Sequence, residues 1–136
     1  MNFLLILGVS ILQIIIASVW FSPLLFGKFW MKINGVESLS KHEMKELGKS
    51  AIPFYVIQFF LQLVTNAVIY IAVNNAGPSG GAFALVVWFA FMMPIVVQNE
   101  IWINSENSIK FKKILIVGGQ LLITTVLAGV IFGIFR

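Results

Sequence analysis

The chain has 136 residues, 60% of them hydrophobic and 10% charged, with a formal net charge of +4, no cysteine and no aspartate, its acidic residues all being Glu. A soluble domain carries about a quarter charged residues, so a mean hydropathy of +0.99 excludes an ordinary soluble globule, and it equally excludes disorder, which requires low hydrophobicity. Without Cys there is no disulfide frame, thiolate nucleophile or Cys-type zinc site, and the length allows one domain, 1–136.

A hydrocarbon core about 30 Å thick needs roughly 20 apolar residues of helix. Four segments meet that length: 3–21, 52–73, 81–102 and 114–135. Lipid offers no partners for backbone groups, so the expectation is an all-α integral membrane four-helix bundle. The first segment lacks a basic leading region and a small-x-small cleavage site, and its apolar run is too long for a secretory signal. It reads as a retained helix.

Charge placement sets the expected topology. Lys28, Lys32, Lys41, Lys45 and Lys49 fall in the first connection, and Lys110, Lys112 and Lys113 in the third. The connection 74–80 has no charge, and the last basic residue is Arg136. With four spans the two lysine-bearing connections share a side. The retention of basic loops places them in the cytoplasm and both termini outside. A pI near 9.6 would invite a nucleic-acid reading in a soluble protein; here the lysines sit beside membrane ends, where they meet anionic headgroups. Membrane lipids are the expected partners, and nucleic acid is not.

The first connection has internal structure. Pro23 ends the first helix. Leu25, Phe29 and Ile33 then recur every four residues, with Phe26 and Trp30 on a neighbouring face and Lys28 and Lys32 on a basic line. This pattern predicts a short amphipathic helix lying in the interface, closed by Gly35. A second short helix follows, opened by a Ser40–Glu43 capping box with Leu39 and Met44 as its staple and stopped at Gly48. Ser50 is then expected to cap the second long helix, with Pro53 in its first turn. The lone His42 stands four residues before Glu46, too few ligands for a metal, and reads as part of a solvated face.

No charged residue lies deep inside any span. Glu100 comes closest, near the cytoplasmic end of the third, where it is expected to anchor the helix by pairing with Lys110 or Lys113; the alternative is a titrating coupling carboxylate. Amides take the place of charges. Counting 1.5 Å per residue, Gln13 and Gln62 fall near the midplane, and Gln58, Gln98 and Gln120 in the cytoplasmic half. Gln58, Gln62 and Asn66 form one stripe at i, i+4 and i+8, and Thr124 and Thr125 add hydroxyls at midplane. Gln13, Gln58, Gln62, Asn66, Gln98 and Gln120 are therefore the candidate intramembrane polar site. Two readings stay open: cross-helix hydrogen bonds contributing about 0.5–2 kcal/mol each, or a polar cavity for a small solute.

On the fourth span Gly118, Thr125, Gly129 and Gly133 share a face. Gly129 and Gly133 make a GxxxG pair, which serves packing within one bundle or between subunits. Pro94 removes one backbone bond in the third span and predicts a kink.

No Ser-His-Asp set is available, no phosphate-cradling glycine motif follows a strand, and Glu37, Glu43, Glu46, Glu100 and Glu106 have nothing to pair them as catalytic carboxylates. The expectation is a non-enzymatic membrane module, without cofactor or metal, that self-associates, holds lipid or binds a membrane protein partner. The alternative is a small-solute transporter or channel subunit with an amide-lined site. Four helices of this length enclose little space, so a cavity is expected to favour a homo-oligomer.

Residues 20–31 read Trp-Phe-Ser-Pro-Leu-Leu-Phe-Gly-Lys-Phe-Trp-Met. This resembles the signature of a bacterial family of small membrane proteins catalogued as domain of unknown function 1761, matching it at Trp20, Ser22, Pro23, Leu25, Phe26, Gly27 and Trp30. Gly81, Trp88 and Phe91 resemble the family's Gly…Trp-x-x-Phe run, and Glu100 an acidic residue near the end of the third helix. Phe21 stands where Tyr is frequent and Ala90 where Gly is common. The resemblance implies four membrane helices in the bacterial cytoplasmic membrane and no assigned activity. The detail of segment 20–30 exceeds what interfacial anchoring demands, so it is expected to contact a partner, a lipid or another subunit.

Overall fold

A computed structural model describes residues 2–76 and 79–135. Gly77 and Pro78 of the uncharged connection, and Arg136, lie outside the described residues. The chain folds as α1 (Phe3–Trp20), α2 (Gly27–Ile33), α3 (Lys41–Ala76), α4 (Gly80–Val87), α5 (Met93–Ile101) and α6 (Asn107–Ile134). A π-helical turn, Trp88–Met92, joins α4 to α5 as one bent span. Among the described residues there is no strand. Four spans (α1, α3, α4 through α5, and α6) are long and apolar enough to cross a membrane.

The short connecting helix is built as its residues dictate. Gly35, the C′ residue of α2, has φ +69°, a conformation other residues resist. Its N–H donates to the Lys32 carbonyl at 3.1 Å, and that of Val36 to the Met31 carbonyl at 3.1 Å, the paired bonds of a Schellman ending. Ahead of α3, the Ser40 N–H donates to Glu43 Oε2 at 2.7 Å and the Glu43 N–H to Ser40 Oγ at 3.2 Å, so the capping box is formed. The Ser40 side chain and backbone together hold the Glu43 carboxyl below the usual carboxylate range.

The break expected at Gly48 does not occur. The predicted short helix and second span are one continuous helix, α3, passing through Gly48, Ser50 and Pro53. Ser50 caps nothing; its hydroxyl donates back to the Leu47 carbonyl at 2.8 Å. A Cβ on Gly48 would meet nothing within 4 Å, so no neighbour forces a turn there. Glycine inside a helix costs only about 1 kcal/mol, and Pro53 gives up one bond on an exposed stretch. Two new helix ends would cost more, because each nucleus fixes several residues for its first bond. At 1.5 Å per residue α3 is about 54 Å long, well beyond one hydrocarbon thickness, and all of 41–50 is exposed. Likewise α6 begins at Asn107, some two turns before the expected 114.

α6 is the axis of the bundle and touches α1, α3, α4 and α5. Its GxxxG pair is used inside the chain. A Cβ on Gly129 would run into the Gly80 carbonyl and come within 2.5 Å of Ala84 Cβ, and one on Gly133 would lie 3.2 Å from the Gly80 nitrogen. The start of α4 thus lies directly on α6, backbone to backbone.

One half of the bundle is filled by a hydrophobic core of Ile6, Val9, Ile69, Val73, Ala128 and Phe132. The remaining buried positions include Ser10, Gln13, Asn66, Lys113, Thr124 and Thr125, while large apolar side chains such as Leu4, Phe54, Phe60, Val64 and Phe89 face outward.

Candidate functional site

On α1 the residues Ser10, Gln13 and Ala17, continued by the C-cap residue Phe21, follow one another at three- and four-residue steps, and so share the inner face. On α3 the same spacing aligns Tyr55, Phe59, Gln62 and Asn66, with Gln58 beside them. Where α1, α3 and α6 meet at mid-length, these faces bring their amides together. Gln13 Oε1 accepts from Gln62 Nε2 at 2.9 Å and from Asn66 Nδ2 at 2.7 Å. Gln13 Nε2 donates to the Thr124 carbonyl of α6 at 2.9 Å, and Asn66 Nδ2 also donates to Ser10 Oγ at 2.8 Å. Asn66 is 0% exposed, and its Oδ1 is buried with no partner. Gln13, Gln62 and Asn66 are therefore cross-helix bonds, one of the two readings left open for the stripe.

Gln58 and Gln120 do something else. With Gln13 and Gln62 they line a cavity of about 540 Å³ between α1, α3 and α6, with Ala17, Phe21, Tyr55, Phe59 and Thr124 among its other walls. The network forms its floor, and the hydrophobic core lies beyond that floor. Ile14 and Ser18 on α1, and Tyr55 and Gln58 on α3, are exposed at the rim, while Gln13 and Thr124 are buried at the back. The opening therefore lies along the α1–α3 seam, and α6 is the rear wall. The lining carries no carboxylate, amine or imidazole. Among the described residues the side chains of Gln58, Gln120 and Tyr55 make no hydrogen bond within the chain. A single chain lines this cavity, between α1, α3 and α6.

Gln98 does not join the site. It is exposed on α5, whose buried residue is Val96. The third span packs on the other side of α6 and lends no residue to the cavity; within that span the Met93 N–H donates to the Trp88 carbonyl five residues back. One extra residue in that turn rotates all later positions by about 100° relative to a regular helix. The widening precedes Pro94, whose ring would otherwise press on the carbonyl four residues earlier. On the opposite flank of α6, Thr125 Oγ1 donates to Met92 Sδ at 3.3 Å.

The motif around Trp20 makes several bonds within the fold. Trp20 Nε1 donates to the Ile116 carbonyl at 3.1 Å, and Trp88 Nε1 to the Gly118 carbonyl at 2.9 Å, so two indoles hook onto α6 from different helices. Trp20 packs on Phe26 at 4.8 Å and Phe21 on Trp30 at 5.2 Å between ring centres. Ser22 turns the chain: its hydroxyl donates to the Val19 carbonyl at 2.7 Å, and its carbonyl accepts from the Gly27 N–H at 2.9 Å. A Cβ on Gly27 would lie 2.6 Å from the Ser22 carbonyl carbon, so only glycine fits. Much of the motif's detail builds this turn, while Pro23 and Leu25 remain exposed.

Glu100 does not pair with a lysine. Its Oε2 is buried without a partner, and Lys110 Nζ donates to the Ile101 carbonyl at 3.1 Å instead. Lys113 is 8% exposed. Lys112 sits 5.6 Å from the Phe29 ring centre, which ties α2 to the start of α6. The ion pair found among the described residues is Lys49–Glu46 at 2.8 Å.

Ser10, Ser18, Phe21, Tyr55 and Phe59 escaped sequence reasoning as parts of the site. The signal for most of them was present: Ser10 and Phe21 share a helical face with Gln13, and Tyr55 and Phe59 with Gln62, whereas Ser18 follows Ile14 at the rim.

Four long apolar helices around an interior amide network and an amide-lined cavity define a small helical-bundle protein with an apolar exterior and an interior that is hydrophobic in one half and polar in the other. The chain matches, over residues 4–133, the family described as protein of unknown function (DUF1761), and it belongs to that family. No curated protein and no solved structure matches it.

Proposed function

We propose that this chain is a four-span protein of the bacterial cytoplasmic membrane which, without catalysing a reaction, holds a small uncharged molecule drawn from the bilayer. Its lysine-bearing connections lie in the cytoplasm and both ends of the chain outside, following the retention of basic loops. The outward Leu, Phe and Val surface supports the membrane setting: it would be costly in water and is at no disadvantage against acyl chains. The observation that carries the functional reading is the cavity of about 540 Å³, a size within the range of small-molecule sites. It joins amides free to bond a ligand to aromatic walls. The holding reading is favoured over a solute path because the core from Ile6 to Phe132 fills the bundle beyond the network.

Native mass spectrometry of the protein released from nanodiscs tests the reading. The expected result is a retained non-protein mass that diminishes when Ala17→Trp fills the cavity. Identical retained masses in the parent and the Ala17→Trp protein would overturn it.

A further inference from the structure

Resting on that reading, we infer that the cavity takes an uncharged amphiphile whose head presents two carbonyl oxygens, its hydrocarbon tail leaving through the α1–α3 seam. Charge is excluded first. No lining residue carries a formal charge at neutral pH, and an ionised head would lose its hydration with no counter-charge to meet it.

The hydrogen-bond inventory then selects carbonyls. Gln13 is largely engaged: its oxygen accepts twice and one of its two N–H groups donates to α6. Gln62 already donates to Gln13. The amides with no bond inside the chain are Gln58 on α3 and Gln120 on α6, on separate walls, with one N–H each left on Gln13 and Gln62 at the floor and the Tyr55 hydroxyl at the rim. Gln58 is exposed at the rim and Gln120 half-buried, and within a bilayer, where no water stands in, an N–H without an acceptor is less tolerated than an under-used carbonyl. The ligand's first duty is therefore to supply acceptors, one toward each wall. Phe21, Tyr55 and Phe59 offer ring surface around such a head.

The opening fixes the route. The exposed rim residues Ile14, Ser18, Tyr55 and Gln58 belong to α1 and α3, and outward positions of both helices are apolar. A tail passing between them meets the surroundings that acyl chains prefer. Two neutral membrane compounds share this chemistry, a quinone ring with carbonyls on opposite sides and the ester head of a diacylglycerol.

The test uses the full-length protein in phosphatidylcholine nanodiscs loaded with decylubiquinone, dioctanoylglycerol and dioctanoylphosphatidylglycerol in equal amounts, read by native mass spectrometry. The expected result is a one-to-one adduct with decylubiquinone or dioctanoylglycerol, reduced about tenfold for each amide removed in Gln58→Leu and Gln120→Leu. Ala17→Trp is expected to abolish the same adduct, a second variant independent of the amides. Adduct with the quinone alone assigns a ring head, and with the glycerol ester alone an ester head. A preference for dioctanoylphosphatidylglycerol that Ala17→Trp removes would overturn the neutral class and leave the cavity reading standing. Adducts indifferent to all three variants, or no adduct with the parent, would overturn both.

Discussion

Gln13 holds three helices together through one side chain. Its amide meets Gln62 and Asn66 of α3 and the Thr124 carbonyl of α6. Cross-helix bonds in membrane proteins average about 0.6 kcal/mol, so Gln13→Leu is expected to cost about 2 kcal/mol, since it also strands the Asn66 and Gln62 donors. Gln58→Leu, which removes no internal bond, is expected to change stability by less than about 0.5 kcal/mol. Unfolding midpoints in mixed micelles compare the two, and equal losses would contradict this division of the stripe into bonded and free amides. The glycines divide in the same way. Gly129→Ala pushes a methyl into the Gly80 backbone, which cannot give as a flexible side chain can, and is expected to cost about 1–3 kcal/mol. Gly8→Ala, where an added Cβ meets nothing within 4 Å, is expected to be neutral or to stabilise by about 0.5–1 kcal/mol.

At the scale of elements, α3 departs furthest from expectation. Gly48, Ser50 and Pro53 read as a stop, a cap and a first turn, yet such residues end a helix only where something competes for the backbone, and nothing packs on this stretch. Spin labels at positions 44 and 60, both exposed, are expected to lie about 24 Å apart along an unbroken helix; a shorter and broader distribution would mean a break. The opposite holds at the start of α3, where the capping box was legible in four residues because it is wholly local. Its bonds favour ionised Glu43, lowering the native carboxyl pKa. That contribution is fully present above the ordinary carboxylate value and is lost as pH falls through the lowered native value. Amide exchange at Ser40 and Glu43 is expected to quicken on acidification, and Ser40→Ala is expected to remove that dependence. Gln98 shares only its depth along the span with the other amides, and depth does not say toward which neighbour a side chain turns; on α5 it faces outward.

For the whole molecule, the two lysine-bearing connections gather at one end of the bundle, where Lys112 meets α2 and Lys110 the end of α5. The start of α4 lies against Gly129 and Gly133 toward the other end. The proposed orientation predicts that a reporter fused after Phe135 is active outside the cytoplasm and that one inserted after Ser38 is active within it; the reverse pattern would overturn the topology. The bundle also divides lengthwise: the core occupies the half around Val73 and Phe132, and the cavity the half toward Phe21 and Tyr55.

The four long helices, their apolar surfaces, the lysine asymmetry and the family signature were all readable from the residues, because bilayer-scale hydrophobicity, charge placement and local capping depend on short stretches of chain. Gln13 and the Gln58–Gln62–Asn66 stripe were also visible as polar positions out of keeping with their surroundings. Only the tertiary structure decided which amides bond to one another and which are left to line a space, that Gly129 and Gly133 meet α4, and that Trp20 and Trp88 both reach α6. Those outcomes depend on helix rotation and on contacts between residues as far apart as Gln13 and Thr124. The periodicity of a single helix fixes which residues share its face, but not the partner toward which that face turns.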